Sequence, residues 1–140
     1  VVISGVSVSS VGVSHVGKTL GYRVDIGGVS VAYVSDHQQP MDGSGPDPKV
    51  VDLCRGVDLL IHDSQYTASE LVSRPDWGHC TPEFAIEVAR ASGAQHLVMF
   101  HHDPDRTDRQ LDDLVEAHRD SLEPRVTVAR EGASIALGVG

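Results

Sequence analysis

Valines alternate with serine and glycine across Val6–Val13, and a period of two predicts a half-buried strand. That pattern runs out at Ser14-His15-Val16-Gly17. It returns over 20–26 and 29–35, on either side of Gly27-Gly28, a pair suited to the positive φ angles of a tight hairpin. The first third is therefore predicted as antiparallel sheet. The last of these strands stops at Asp36-His37, and 37–47 is a polar loop rich in glycine and proline. The period then lengthens. Asp47 can cap, and Pro48 open, a short helix through Val50, Val51 and Leu53 to Arg55, with Gly56 as its stop.

Residues 58–62 read as a brief buried strand ending in Asp63, 67–72 as a helical turn, and 73–78 as a loop holding the only tryptophan, Trp77. Thr81-Pro82-Glu83 opens the clearest helix: a capping hydroxyl, a proline at the first position and an acid at the positive end of the dipole. Phe84, Ala85, Val88 and Ala89 share its inner face, and Gly93 ends it. The apolar run 97–100 predicts a buried strand that stops at His101-His102-Asp103-Pro104. Thr107-x-x-Gln110 makes a capping box for a last helix with Leu111, Leu114 and Val115 inward. Segments 126–129 and 133–137 are predicted to close the chain as a hairpin around Glu131-Gly132. Strands first, then strands alternating with helices, predict one α/β domain over residues 1–140: a mixed sheet with helices on one face.

Composition narrows the function classes. A chain of 140 residues, 40% hydrophobic, can bury one core. Its formal charge of -9 comes without any basic run, so it offers no extended nucleic-acid surface. An anionic substrate would need local positive charge, which bound metal supplies. Cys54 and Cys80 form no disulfide framework and no Cys-x-x-Cys motif, which fits a reducing compartment. No stretch approaches the roughly 20 apolar residues of a membrane span, and the start has no secretory signal, so a cytoplasmic location is expected. The chain opens on Val1-Val2-Ile3 without a methionine and reads as the later part of a longer polypeptide.

Ligand-type residues stand at the ends of successive predicted strands: His15, Asp36 and His101, with His79 just before a helix. Strands of one sheet place their ends along common edges, so these positions can converge. Two imidazoles and a carboxylate suit zinc, manganese or iron better than calcium. No short-range ligand pair is present, so residue chemistry alone leaves two alternatives open: a metal site, or histidines making ordinary hydrogen bonds.

Five segments in order sharpen this picture: Ser14-His15 with Leu20-Gly21-Tyr22-Arg23; Ala32-Tyr33-Val34-Ser35-Asp36; Leu59-Leu60-Ile61-His62-Asp63; Gly78-His79-Cys80-Thr81-Pro82-Glu83; and Leu97-Val98-Met99-Phe100-His101. Together they resemble the later motifs of the metallo-beta-lactamase superfamily, in its ribonuclease Z and phosphodiesterase-like branch. The resemblance implies the second half of an αββα hydrolase sandwich built around two divalent metals, zinc or manganese, with iron as an alternative. It implies metal ligation by His15, by Asp36 as the bridging aspartate, and by His101. His101 is preferred over His102 because it also continues the strand's alternation. It implies that His79 assists the leaving group. Asp63 is read as an acceptor that orients the His79 ring, with a solvated loop aspartate as the alternative. Cys80 stands where the branch carries serine or threonine.

The superfamily's first signature, His-x-His-x-Asp-His, is absent. It precedes this stretch in a longer polypeptide, or comes from a partner chain, or the protein is a remnant; a homo-oligomer is left open beside these. The reading that follows is a metal-dependent phosphodiesterase, active on a small nucleotide-like phosphoester once the fold is complete. Two alternatives stand beside it: a non-catalytic half-domain serving as an interaction module, and a lactonase or thioesterase on the same scaffold. Transfer-RNA processing is disfavoured, because the connection from His15 to Asp36 leaves no room for the arm with which ribonuclease Z enzymes hold tRNA. Trp77 is read as a loop anchor rather than a substrate platform, and His62, His96 and His118 receive no functional role.

Overall fold

The computed structural model describes residues 1–118 and 124–138. A short β1 (Val2–Ile3), which the valine pattern does not announce, turns through Ser4-Gly5 to pair antiparallel with β2 (Val6–Val13). β3 (Thr19–Ile26) and β4 (Val29–Val34) extend the antiparallel part across Gly27 and Gly28, whose φ values of 57° and 85° explain why glycine stands at both. α1 (Pro48–Leu53) starts at Asp47, whose carboxylate accepts the Lys49 N–H at 2.8 Å. β5 (Leu59–Asp63), the single turn α2 (Ala68–Leu71), α3 (Pro82–Ser92) and β6 (His96–Phe100) follow. α4 (Asp108–Ala117) carries the predicted Thr107–Gln110 capping box, and β7 (Arg125–Val128) is the last strand.

The seven strands lie in one sheet in chain order, antiparallel from β1 to β4 and parallel from β4 to β7. Register builds two apolar rows on one face: Ala32, Leu60, Leu97 and Val126, then Val34, His62, Met99 and Val128. α1 and α3 cover those rows with Val50, Leu53, Phe84, Ala85, Val88 and Ala89, which together form the core. The predicted closing hairpin is not formed. β7 pairs in parallel with β6, because Val126 and Val128 there prolong both rows against the core. The turn at Glu131-Gly132 exists, but residues 133–136 then cross the opposite face, lining a cavity of about 640 Å³ with Tyr33, Ile61, Val98 and Phe100.

Candidate metal centre

Sheet direction decides where the chemistry gathers. β2 and β4 both run antiparallel to β3, and β5 and β6 run parallel to β4. The C-terminal ends of β2, β4, β5 and β6 therefore open on one edge. They deliver His15, Asp36, Asp63 and His101 there. α3 leads from β5 back to β6, so its N-terminus faces the same edge and carries His79 with it. His101 does not reach the site by continuing the strand alternation, as expected from sequence. It lies beyond β6 with φ 56°, a left-handed conformation that non-glycine residues seldom adopt and that marks functional turns.

Donor atoms of Asp36, His79 and His101 all lie within 4.8 Å of one another, close enough to share a cation. The His101 and His79 rings meet edge to face at 4.8 Å between centroids, and the His15 ring stands 5.5 Å from that of His79. Each of the three imidazoles is fixed through Nδ1. His15 Nδ1 donates to the Gly78 carbonyl at 2.8 Å, His79 Nδ1 to Asp63 Oδ2 at 2.8 Å, and His101 Nδ1 to the Ser35 carbonyl at 2.7 Å. With Nδ1 engaged as donor, Nε2 is the nitrogen each ring has left for another partner. Metal-binding histidines are oriented in this way, by a hydrogen bond from the other ring nitrogen, and with the Asp36 carboxylate these rings make a donor set that fits zinc, manganese or iron. Gly78 permits the packing: its φ is 92°, and a Cβ there would run into the His15 ring.

Behind the rim lies a polar cluster around Asp63, which the sequence pointed to, and around His37 and His62, which it did not. Asp63 is wholly buried; its Oδ2 accepts the His37 N–H at 3.0 Å as well as His79, and its Oδ1 accepts the Gln65 N–H at 3.0 Å. His37 and His62, both buried, pair Nδ1 to Nε2 at 3.0 Å, and His62 Nδ1 donates to the Asp63 carbonyl at 2.8 Å. Burial pushes both rings down to about 4, His62 also through its neighbour His37, so the pair is neutral. The Cys80 thiol donates to the same Asp63 carbonyl at 3.0 Å and burial raises it well above its ordinary value, which suits a structural donor in the place of serine. Only the placement of His37 right after Asp36, and of His62 right before Asp63, hinted at these roles. His102 turns inward, both ring nitrogens shielded from solvent, and burial lowers its pKa. His96 lies on the far face, bonded to Thr127 Oγ1 at 2.8 Å.

Cys54, like Cys80, is free and buried. Among the described residues no helix is long and apolar enough to cross a membrane.

Comparison with known proteins bears on the family and the fold. A family model described as the beta-lactamase superfamily domain matches residues 5–102. Ribonuclease Z of Gemmatimonas aurantiaca is 30% identical over 106 residues, 76% of this chain and 31% of that protein. Ribonuclease Z of Pyrococcus furiosus is 38% identical over 77 residues, 55% of this chain and 22% of that protein. The crystal structure of the short form of human tRNase Z superposes on 99% of this chain and 46% of its own, with a TM-score of 0.73 at 21% identity. The chain thus spans less than half the length of each relative.

Proposed function

The chain belongs to the metallo-beta-lactamase superfamily, in its ribonuclease Z-like branch, and from that premise we propose that it carries half of the active site of a metal-dependent phosphodiesterase. The observation that carries this reading is the convergence of Asp36, His79 and His101 with each neighbouring imidazole held through Nδ1. His15, Asp36 and His101 would hold the metal ions. Two divalent ions bound there would supply Lewis acidity toward a phosphoryl oxygen and toward water. The residues of the chain do the rest. Asp63, a buried acceptor at Nδ1, fixes the His79 ring so that a proton carried at Nε2 faces the cluster and can pass to a departing alkoxide. The completed domain would draw its remaining ligands from chain beyond these residues or from a partner.

A small nucleotide-like diester is the favoured substrate. The relatives named ribonuclease Z put RNA diesters forward as the second reading. Against an extended RNA stand the formal charge of -9 and the course of residues 16–35, which are spent on the β3–β4 hairpin and leave no arm.

The test is turnover of bis(p-nitrophenyl) phosphate against thioester and lactone panels, with manganese or zinc added to the full-length protein. Asp36→Ala is expected to abolish metal-dependent turnover with little effect on folding; wild-type turnover would remove Asp36 from the site. The grouping of His79 with Asp36 and His101 offers it as a ligand in place of His15. Metal content separates the two: His15→Ala is expected to lose bound metal, and His79→Ala to keep the metal and lose turnover. The opposite pattern would exchange their roles.

A further inference from the structure

The loop that brings His79 to the site also carries the chain's only tryptophan, one residue away from it across Gly78. Trp77 is 59% exposed, whereas Tyr66 beneath it is 3% exposed. The two rings meet edge to face at 6.4 Å and 76°, and Tyr66 meets His79 in the same way at 5.8 Å and 77°. The Arg74 guanidinium lies over both aromatic rings, 5.1 Å from the Tyr66 centroid and 5.4 Å from that of Trp77. A continuous series of ring contacts thus runs from the open indole through Tyr66 and His79 to His101.

A loop anchor would bury its indole, and Tyr66 already performs that service, packed against the catalytic-edge histidine. Trp77 instead meets Tyr66 edge to face and takes Arg74 over its ring while most of its surface stays open, which leaves a π-surface on the loop that leads to His79. Such a surface accepts any nucleobase, since every base has a π-face, and stacking of this kind survives without base-edge hydrogen bonds. A cation fixed at the same spot suits a ligand that also carries phosphate.

We propose that Trp77 and Arg74 form a base-stacking platform that receives the nucleobase of a nucleotide phosphodiester whose phosphate lies at Asp36, His79 and His101. The proposal rests on the phosphodiesterase reading above and adds the substrate's second point of attachment.

Two esters with one leaving group test it in the metal-loaded full-length protein: thymidine 5′-(p-nitrophenyl phosphate) and methyl p-nitrophenyl phosphate. In Trp77→Ala the preference for the nucleoside ester, as a ratio of kcat/KM values, is expected to fall about ten-fold, through KM, and Trp77→Phe to recover most of it. Binding is read separately. Thymidine 5′-monophosphate is expected to quench, saturably, the part of the tryptophan emission that Trp77→Phe removes. An unchanged ratio in Trp77→Ala, or equal losses on both esters, would overturn the platform and leave the phosphodiesterase reading in place. Saturable quenching by the nucleotide in a protein that hydrolyses neither ester would sustain the platform and end the phosphodiesterase reading.

Discussion

Three residues set limits on this site that no ligand list conveys. Gly78 has φ 92° and the His15 ring where its Cβ would be, so Gly78→Ala meets both backbone strain and a clash. The variant is expected to be destabilised by about 2 kcal/mol and to bind zinc or manganese roughly ten-fold more weakly, read by urea unfolding and by metal titration. Unchanged metal affinity would show that His15 does not depend on the Gly78 turn. The His37–His62 pair makes stability depend on pH. Folded values near 4 lie below the ordinary 6.5. Between these limits the unfolded chain takes up protons that the native pair refuses, so stability falls as pH drops through the window and is fully present above it. The cost per histidine approaches about 1.4 kcal/mol per pH unit. Urea midpoints should fall steadily from pH 6.5 to 4.5, with a shallower slope in His62→Gln; a flat profile would place the charged pair in the native state.

Among the elements, α3 joins core to chemistry. Its apolar face packs on the sheet while its first turn sits beside His79. Thr81 Oγ1 accepts the Phe84 N–H at 3.3 Å, so Thr81→Ala should cost about 1 kcal/mol in unfolding free energy. Turnover should fall with it, because the cap adjoins the Cys80 and His79 turn. A stability loss without any change in kcat would uncouple the helix end from the site. α3 also shows what was legible beforehand: Thr81, Pro82 and Gly93 act locally, and the structure keeps them as cap, first-turn proline and left-handed stop, with Gly93 at φ 69°. The strand over Val6–Val13 is equally readable from its period and the one over 97–100 from its unbroken apolar run, and the placing of Asp36 and His101 at strand ends follows from both. What failed to show depends on partners distant in sequence. Residues 133–137 alternate like a strand, yet β6 offers β7 a better edge than they do. The His37–His62 contact depends on two neighbouring strand ends meeting, and His101 owes its place to a backbone twist that side-chain chemistry does not advertise.

For the molecule as a whole, charge decides how substrate arrives. The chain carries 20 acidic and 11 basic side chains without a basic run. Several of its cations are already committed: Arg23 lies on Asp25 at 2.9 Å, Arg106 on Glu70 at 2.7 Å, and Arg130 on Asp112. A protein that holds a polynucleotide through 6–10 phosphate contacts loses about a thousand-fold or more in affinity between 50 and 200 mM salt, because each neutralised phosphate releases counterions. On the proposed reading, phosphate is drawn by metal held at the rim of Asp36, His79 and His101, while Arg74 lies over Tyr66 and Trp77. At about 0.1 M salt, charges farther than roughly 10 Å from the reacting group are screened in any case. The value of kcat/KM for a small diester should therefore change by less than about three-fold over that range. A steep fall with salt would mean that a long basic track, supplied by chain outside these residues, grips an extended nucleic acid, and the small-substrate reading would give way to the RNA one.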